Sequence, residues 1–389
     1  MVDNRLLRVC AIATVPLLAA IAPAAQADPA AARAASDTCQ VVNVTSDIGP
    51  STNLQRMING ANVRDRLRVS GTCVGNFHVD QDLVLVGRRT ERRARGVLNG
   101  GGDGRVLTVR GGATTDIRLV DLTITHGRAR GDSGGGLAIQ GHVVLKGSTL
   151  ITRNRGLLGG GVKMEGLTSR LRMKDRSSIS DNESGPIGCG GVTLVHGRVE
   201  MSDHSSVSGN SGITGGICIR NGTLRLTNSA AVSGNVGVLT GGVYLEGGAL
   251  IKMSNHSSVS ANKSRVGAGL AMIGDQRKSH PDPILSMGGS ATIAGNRASD
   301  SGGGVWNRYG IITITHGAVI RDNEATHRHG GGIFQVGGSV TMSGTATVTR
   351  NTSGNAGGGI YNDATLPGLI TINGSASVTR NDPDDCVGC

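Results

Sequence analysis

The sequence predicts an all-β fold, a right-handed parallel β-helix of about 12 coils with three short strands per coil and a short N-terminal capping helix. Three markers carry this expectation because they recur with one spacing. An asparagine closes a polar and β-branched run at Asn154, Asn182, Asn210, Asn235, Asn262, Asn296, Asn323, Asn351 and Asn381, a mean interval of about 28 residues. Three positions earlier stands Ile151, Ile179, Val207, Val232, Val259, Ile293, Ile320, Val348 or Val378, β-branched in every case. A glycine cluster followed by an aliphatic residue opens each repeat, at Leu137, Val162, Val192, Ile217, Val243, Leu270, Val305, Ile333 and Ile360. Between opening and closing, pairs such as Leu171/Met173 and Val199/Met201 alternate with period two, the pattern of a strand with one buried face.

One repeat has too little apolar surface to stand alone, so stability requires stacking, with each β-branched residue lying on its counterpart about 4.8 Å away in the next coil. Right-handed winding follows from the general preference of parallel crossovers. The recurrent asparagine is expected to form a ladder, its amide bonding to backbone and to the next asparagine.

In chain order, Arg5 and Arg8, the apolar run 9–25 and Ala25-Gln26-Ala27 read as a signal peptide over residues 1–27. Residues 28–38 read as a flexible segment and 39–65 as an N-terminal cap. In that cap, residues 51–58 form a short helix with Leu54, Met57 and Ile58 on one face. The β-helix runs over 66–389. Residues 66–133 supply about three coils from runs at 66–69, 82–86, 106–109 and 118–125, and the regular repeats occupy 134–389. The longest repeat carries a loop at 275–283.

Sixty-four glycines, nine prolines and only six aromatic residues imply many tight turns around a thin aliphatic core. The net charge is +11, which favours acidic partners; neither a nucleic-acid motif nor a second apolar run of membrane-spanning length is read. Localisation is expected to be extracellular. Cys10 lies in the signal segment, and the other six cysteines allow 15 pairings. Cys39 with Cys73, flanking the cap, is the first choice and Cys386 with Cys389 the second. Oligomeric state is open.

The Gly-Gly-Gly-Ile/Val openings, the Ser-x-x-Asn closings, Gly71-Thr72-Cys73 and Asn381-Asp382-Pro383-Asp384-Asp385-Cys386 resemble secreted bacterial right-handed β-helix repeat proteins, whose architecture is that of the pectate lyases. The repeat is also similar to that of the polymorphic outer-membrane proteins, although a C-terminal barrel like theirs is not read here. The resemblance implies a secreted, adhesin-like surface protein.

Chemistry-bearing strings dissolve into the repeat. Gly131-Asp132-Ser133-Gly134-Gly135 matches a serine-protease nucleophile loop, yet Asp300-Ser301-Gly302-Gly303-Gly304 repeats it at an equivalent turn. Glu324, His327 and His329 form the densest potential metal cluster, but one turn sequence supplies no fixed ligand set, and no metal or cofactor is expected. Asp300 and Arg328, on neighbouring coils, read as an ion pair. A polysaccharide lyase or glycoside hydrolase, the alternative function, needs converging carboxylates. Asp181 and Asp322 share a column five coils apart, about 24 Å. Asp175 and Asp203 are adjacent, but with Lys174 and His204 beside them they read as turn caps or ion-pair partners. No catalytic residue is assigned.

Two surfaces remain. Outward positions of the middle strands carry Lys146, Arg170, Arg172, Lys174, Arg198, Arg225 and Lys252 against a single carboxylate, Glu200, expected to pair with Arg172 or Arg225. The basic loop at Arg88-Arg89-Thr90-Glu91-Arg92-Arg93-Ala94-Arg95 is read as exposed and could extend this surface towards an acidic polysaccharide or cell-wall polymer. The position after each opening aliphatic residue holds Tyr244, Trp306, Phe334 and Tyr361, four of the six aromatics. With Arg308 and Tyr309 nearby, this stripe is read as a platform for sugar rings or a partner-protein contact, or else as rings that shield the sheet and support one another across strands. The expected function is non-catalytic binding of an extracellular polysaccharide or cell-surface polyanion.

Overall fold

Strands of three to five residues put alternate side chains inward. Val143 and Leu145 are buried from His142–Lys146, and Leu171 and Met173 from Arg170–Met173. A strand this short buries only two side chains, so the core is built between coils. In the computed structural model, which describes residues 38–88, 96–112, 115–131, 133–277 and 280–389, the coils stack into a parallel β-solenoid of about eleven turns. The segment read as a signal peptide, with Cys10, residues 28–37, residues 89–95 of the arginine-rich stretch and Asp132 lie outside the described residues.

Four sheets run along the solenoid. The first contains the opening strands, such as Val162–Glu165, and has 12 members; the second contains the middle strands, such as Arg170–Met173, and has 14. The third, with Ser178–Ser180, has 12. Beyond the three strands per coil expected from the repeat, a fourth sheet of nine strands follows the asparagine turn, as at Glu183–Ser184. Most of its strands are two residues long, too short to show alternation.

Coils stack without slippage through the third sheet. Ile151, Ile179, Val207, Val232, Val259, Ile293, Ile320, Val348 and Val378 are successive partners, and all but Val378 are fully buried. The asparagine ladder forms beside them. Each side-chain amide from Asn154 to Asn351 donates to the Oδ1 of the next asparagine at 2.9–3.0 Å, and that Oδ1 also accepts the preceding backbone N–H. The amide also reaches a carbonyl of the preceding coil, as from Asn182 to Ile151 at 2.9 Å. The buried asparagine amides are thereby satisfied within the stack.

The residue before every ladder asparagine has positive φ, from 53° at Ala261 to 64° at Gly209. Without a left-handed residue there the chain could not turn the asparagine inward from the end of the third sheet. Aspartate, glycine and arginine share the column, but Ala261 has neither glycine's freedom nor a polar side chain to bond locally.

The N-terminal end is covered by an antiparallel pair and a helix. Gln40–Asn43 pairs with Ile48–Ser51 on one side and Arg66–Ser70 on the other, and helix Leu54–Asn59 buries Leu54, Met57 and Ile58 as expected. Asn53 caps the helix, accepting from the Arg56 amide at 2.9 Å. Asp65 fixes the cap from beneath, accepting from Asn43 Nδ2 at 2.6 Å and the Asn62 amide at 2.8 Å.

Both expected disulfides are present, Cys39–Cys73 joining the cap to the first coil and Cys386–Cys389 closing a four-residue loop. A third, Cys189–Cys218, staples adjacent coils. Their separation of 29 residues is close to the mean repeat interval, the sequence signal for this pairing, although the register partner of Cys218 is Thr193 and not Cys189. No helix among the described residues is long and apolar enough to cross a membrane.

Candidate functional site

On the second sheet, hydrogen-bond register fixes two outward columns. One runs His142, Arg170, Arg198, Thr223 and Leu250; the other runs Arg118, Val144, Arg172, Glu200, Arg225 and Lys252, then continues with Ser286, Thr313 and Thr341. Cationic residues thus gather on adjacent coils in one part of the face, and hydroxyl residues replace them further along.

Glu200 sits among the arginines. Its carboxylate accepts from Arg170 at 2.6 Å and Arg172 at 3.2 Å, with Arg198 at 3.6 Å. Burial opposes ionisation of this half-buried group, but the Arg170 hydrogen bond and the charges of Arg170 and Arg172 outweigh it and hold the carboxyl below its ordinary value. The expected pairing with Arg172 occurs. The alternative with Arg225 does not, because Arg170 and Arg198 of the other column occupy the remaining room around the carboxylate.

Arg225 and Lys252 are exposed and have no ion-pair partner among the described residues. Arg170, Arg172, Lys174, Glu200 and Arg225, with Ser202 and Thr227, line a shallow groove of about 370 Å3. One carboxylate shared among three arginines leaves this groove with an excess of positive charge.

The aromatic column is in register as expected, Cys218, Tyr244, Ala271, Trp306, Phe334, Tyr361 and Val387 being successive partners on the first sheet. Trp306 and Phe334 are stacked at 6.5 Å and 8°, and Phe334 and Tyr361 at 5.5 Å and 1°. His329 stacks on Tyr361 at 4.1 Å. Their planes are nearly parallel, so the rings turn faces towards one another and do not form an open floor. Phe334 is only 7% exposed, and Ala271, at 2%, separates Tyr244 from Trp306. Trp306 and Tyr361 are half-buried.

Tyr309 and Arg308 do not extend this stack. Tyr309, 8% exposed, packs its ring against Gly337 in the turn between the first and second sheets, where a Cβ on Gly337 would lie 2.6 Å from Cδ1. Arg308 lies over that ring, 5.5 Å from its centroid.

The candidate catalytic and metal residues diverge into separate contacts. Glu324 pairs with Arg297 at 3.3 Å, His327 bonds the Ser299 carbonyl and His329 joins the aromatic stack. The Asp300–Arg328 pair forms at 3.4 Å, with Arg265 on the other carboxylate oxygen at 3.8 Å. Asp203 accepts from the Asp175 amide and from Asn228, which with Ser202 holds its carboxyl below the usual range against the opposing effect of burial. Asp175 in turn accepts from the Gly147 amide at 2.8 Å. Asp322 is taken by Arg350 and Arg321.

One polar column was not anticipated. In register with Met164, Leu194, Ile219, Leu245 and Met272 stand Asn307, Gln335 and Asn362, all buried. Asn307 holds both backbone groups of Gly310, at 2.9 and 3.0 Å, and Asn362 does the same for Gly368. They fix the corner between the first and second sheets. The signal was legible as three amides at an inward position held elsewhere by aliphatics.

Comparison with protein families, curated proteins and solved structures gives no match to this chain.

Proposed function

We propose that the chain is an exported, non-catalytic binding protein whose second-sheet cationic face holds an extended acidic polysaccharide or another cell-surface polyanion. The observation that carries this reading is the saturation of Glu200 by Arg170, Arg172 and Arg198 beside exposed Arg225 and Lys252. Like charges at strand spacing repel unless solvent or a polyanion relieves them. Parallel coils repeat the cations about every 4.8 Å, a spacing suited to a linear polymer bearing regular carboxylate or sulfate groups. Three disulfides are in keeping with an oxidising extracellular environment.

The aromatic stack supports this reading only at its edges. A sugar can meet the partly open rims of Trp306 and Tyr361, while the mutually stacked faces stabilise the first sheet by about 0.5–1.5 kcal/mol per pair. The test is direct binding of the full chain to polygalacturonate, to a sulfated glycan and to a neutral glucan, with absorbance of unsaturated products followed in parallel. Binding to the two anionic polymers, abolished by Arg225→Glu with Lys252→Glu and without product formation, supports the proposal. Equal binding to the neutral polymer would refute it, and turnover would replace it with a lyase.

A further inference from the structure

The fourth sheet, outside the proposed polyanion face, carries an exposed apolar ridge. In the turn before the first sheet, consecutive coils place Leu157, Ile187, Ile213, Val238 with Leu239, and Val266, followed by Asp300 and Arg328. Backbone bonds establish the continuity, with the Ile213 amide donating to Gly188 at 3.1 Å and the Val266 amide to Leu239 at 3.0 Å. Ile187 is 64% exposed, Val236 53%, Val238 65% and Leu239 44%. A contiguous patch of this kind on an otherwise polar rod marks an interaction surface.

The charges beside the ridge identify the partner. In register along the fourth sheet stand Arg155, Glu183, Ser211, Val236, Lys263, Arg297 and Glu324, with Arg128 and Thr352 at the two ends. Reversed about Val236, the charged positions of the column complement each other, Arg155 meeting Glu324 and Glu183 meeting Arg297, while the neutral Ser211 meets Lys263. Arg155–Glu183 and Arg297–Glu324 already pair within the chain. In a reversed copy these two pairs would face each other as squares of alternating charge. The centre is the widest apolar part, Val236, Val238 and Leu239, with Ile213 opposite Val266.

We propose that this ridge is the contact of a homodimer in which two solenoids lie side by side and antiparallel about a two-fold axis through Val236. Such an isologous contact closes on itself and does not propagate into a filament. Within a coil the fourth sheet is separated from the second by the third on one side and the first on the other. Both cationic faces therefore remain open in the dimer.

Sedimentation of the full chain should give twice the monomer mass, and Val238→Glu with Leu239→Glu should return it to the monomer with an unchanged circular dichroism spectrum. Register is tested by cysteine cross-linking. Val236→Cys, on the axis, should form a covalent dimer under mild oxidation, whereas Ile187→Cys should not, its own copy lying about four coils or 19 Å away. Arg155→Cys and Glu324→Cys should cross-link when mixed but not separately. A monomer at every concentration would overturn the proposal. So would Ile187→Cys cross-linking as readily as Val236→Cys, because that contact would have a different axis or a different occupant.

Discussion

Asp385 accepts hydrogen bonds from both the backbone amide and the side-chain amide of Asn381, at 2.8 and 3.0 Å. Within the ladder each asparagine presents one Oδ1 to the two amides before it; the last member's side-chain amide also reaches the Val348 and Thr379 carbonyls, but its backbone N–H would be left without an acceptor. A carboxylate four residues downstream takes the place of the next coil's asparagine. Asp385→Ala should lower stability by about 1 kcal/mol, and Asp385→Asn should retain most of it. Amide exchange around 377–381 should accelerate in the alanine variant more than exchange in the central coils.

Ala261 occupies a left-handed position that a Cβ disfavours, with φ of 53°. Ala261→Gly should relieve about 1–2 kcal/mol of backbone strain while giving the unfolded chain about 0.4–1 kcal/mol of extra freedom. A net gain of about 0.5–1 kcal/mol in denaturant unfolding is therefore expected. An alanine already neutral at this site would show no change.

Phe334 lies between Trp306 and Tyr361 and is almost wholly covered. Phe334→Ala should destabilise the protein by about 2–4 kcal/mol through lost burial and stacking. Because Trp306 is the only tryptophan, its emission should shift to longer wavelength as water reaches the vacated face.

The N-terminal cap should be sensitive to acid. The hydrogen bond from Asn43 holds the Asp65 carboxyl below its ordinary value of 3.8 against the opposing effect of burial, helped by the Asn62 amide and the Ser46 hydroxyl. A depressed folded value means that the contribution is complete above about pH 4 and is lost as pH falls through that depressed value. Glu200, Asp203 and Asp322 have the same sign. Urea midpoints should fall steeply below pH 4, and Asp65→Asn should remove part of that slope.

The solenoid was legible because its strongest requirement is repetition. A β-branched residue three places before each asparagine can recur nine times only if the sites stack, and the structure puts those residues in one column. The fourth sheet was not legible, since strands such as Arg155–Gly156 and Lys263–Ser264 are too short for a period. Alternation correctly placed Trp306, Phe334 and Tyr361 on the outer side of the sheet. It could not show that the rings would stack face to face, because side-chain torsions and the covering glycine turn are set by neighbouring coils. The cationic face was legible residue by residue, but the preference of Glu200 for Arg170 depends on distances between columns. The ridge around Val238 carries no periodic signal and emerges only when the coils are aligned.

Electrostatic recognition by the second sheet is tested most directly by the salt dependence of polygalacturonate affinity. Binding that releases counterions should weaken by about tenfold or more between 50 and 300 mM salt, with a slope that follows the number of cations engaged. Arg225→Glu with Lys252→Glu should both weaken binding at low salt and flatten that slope, while charge reversal of exposed Arg380, in the turn after the third sheet of the last coil, should leave the slope unchanged. An affinity indifferent to salt, or a slope unaltered by reversing Arg225 and Lys252, would contradict the assignment of this face as the binding surface.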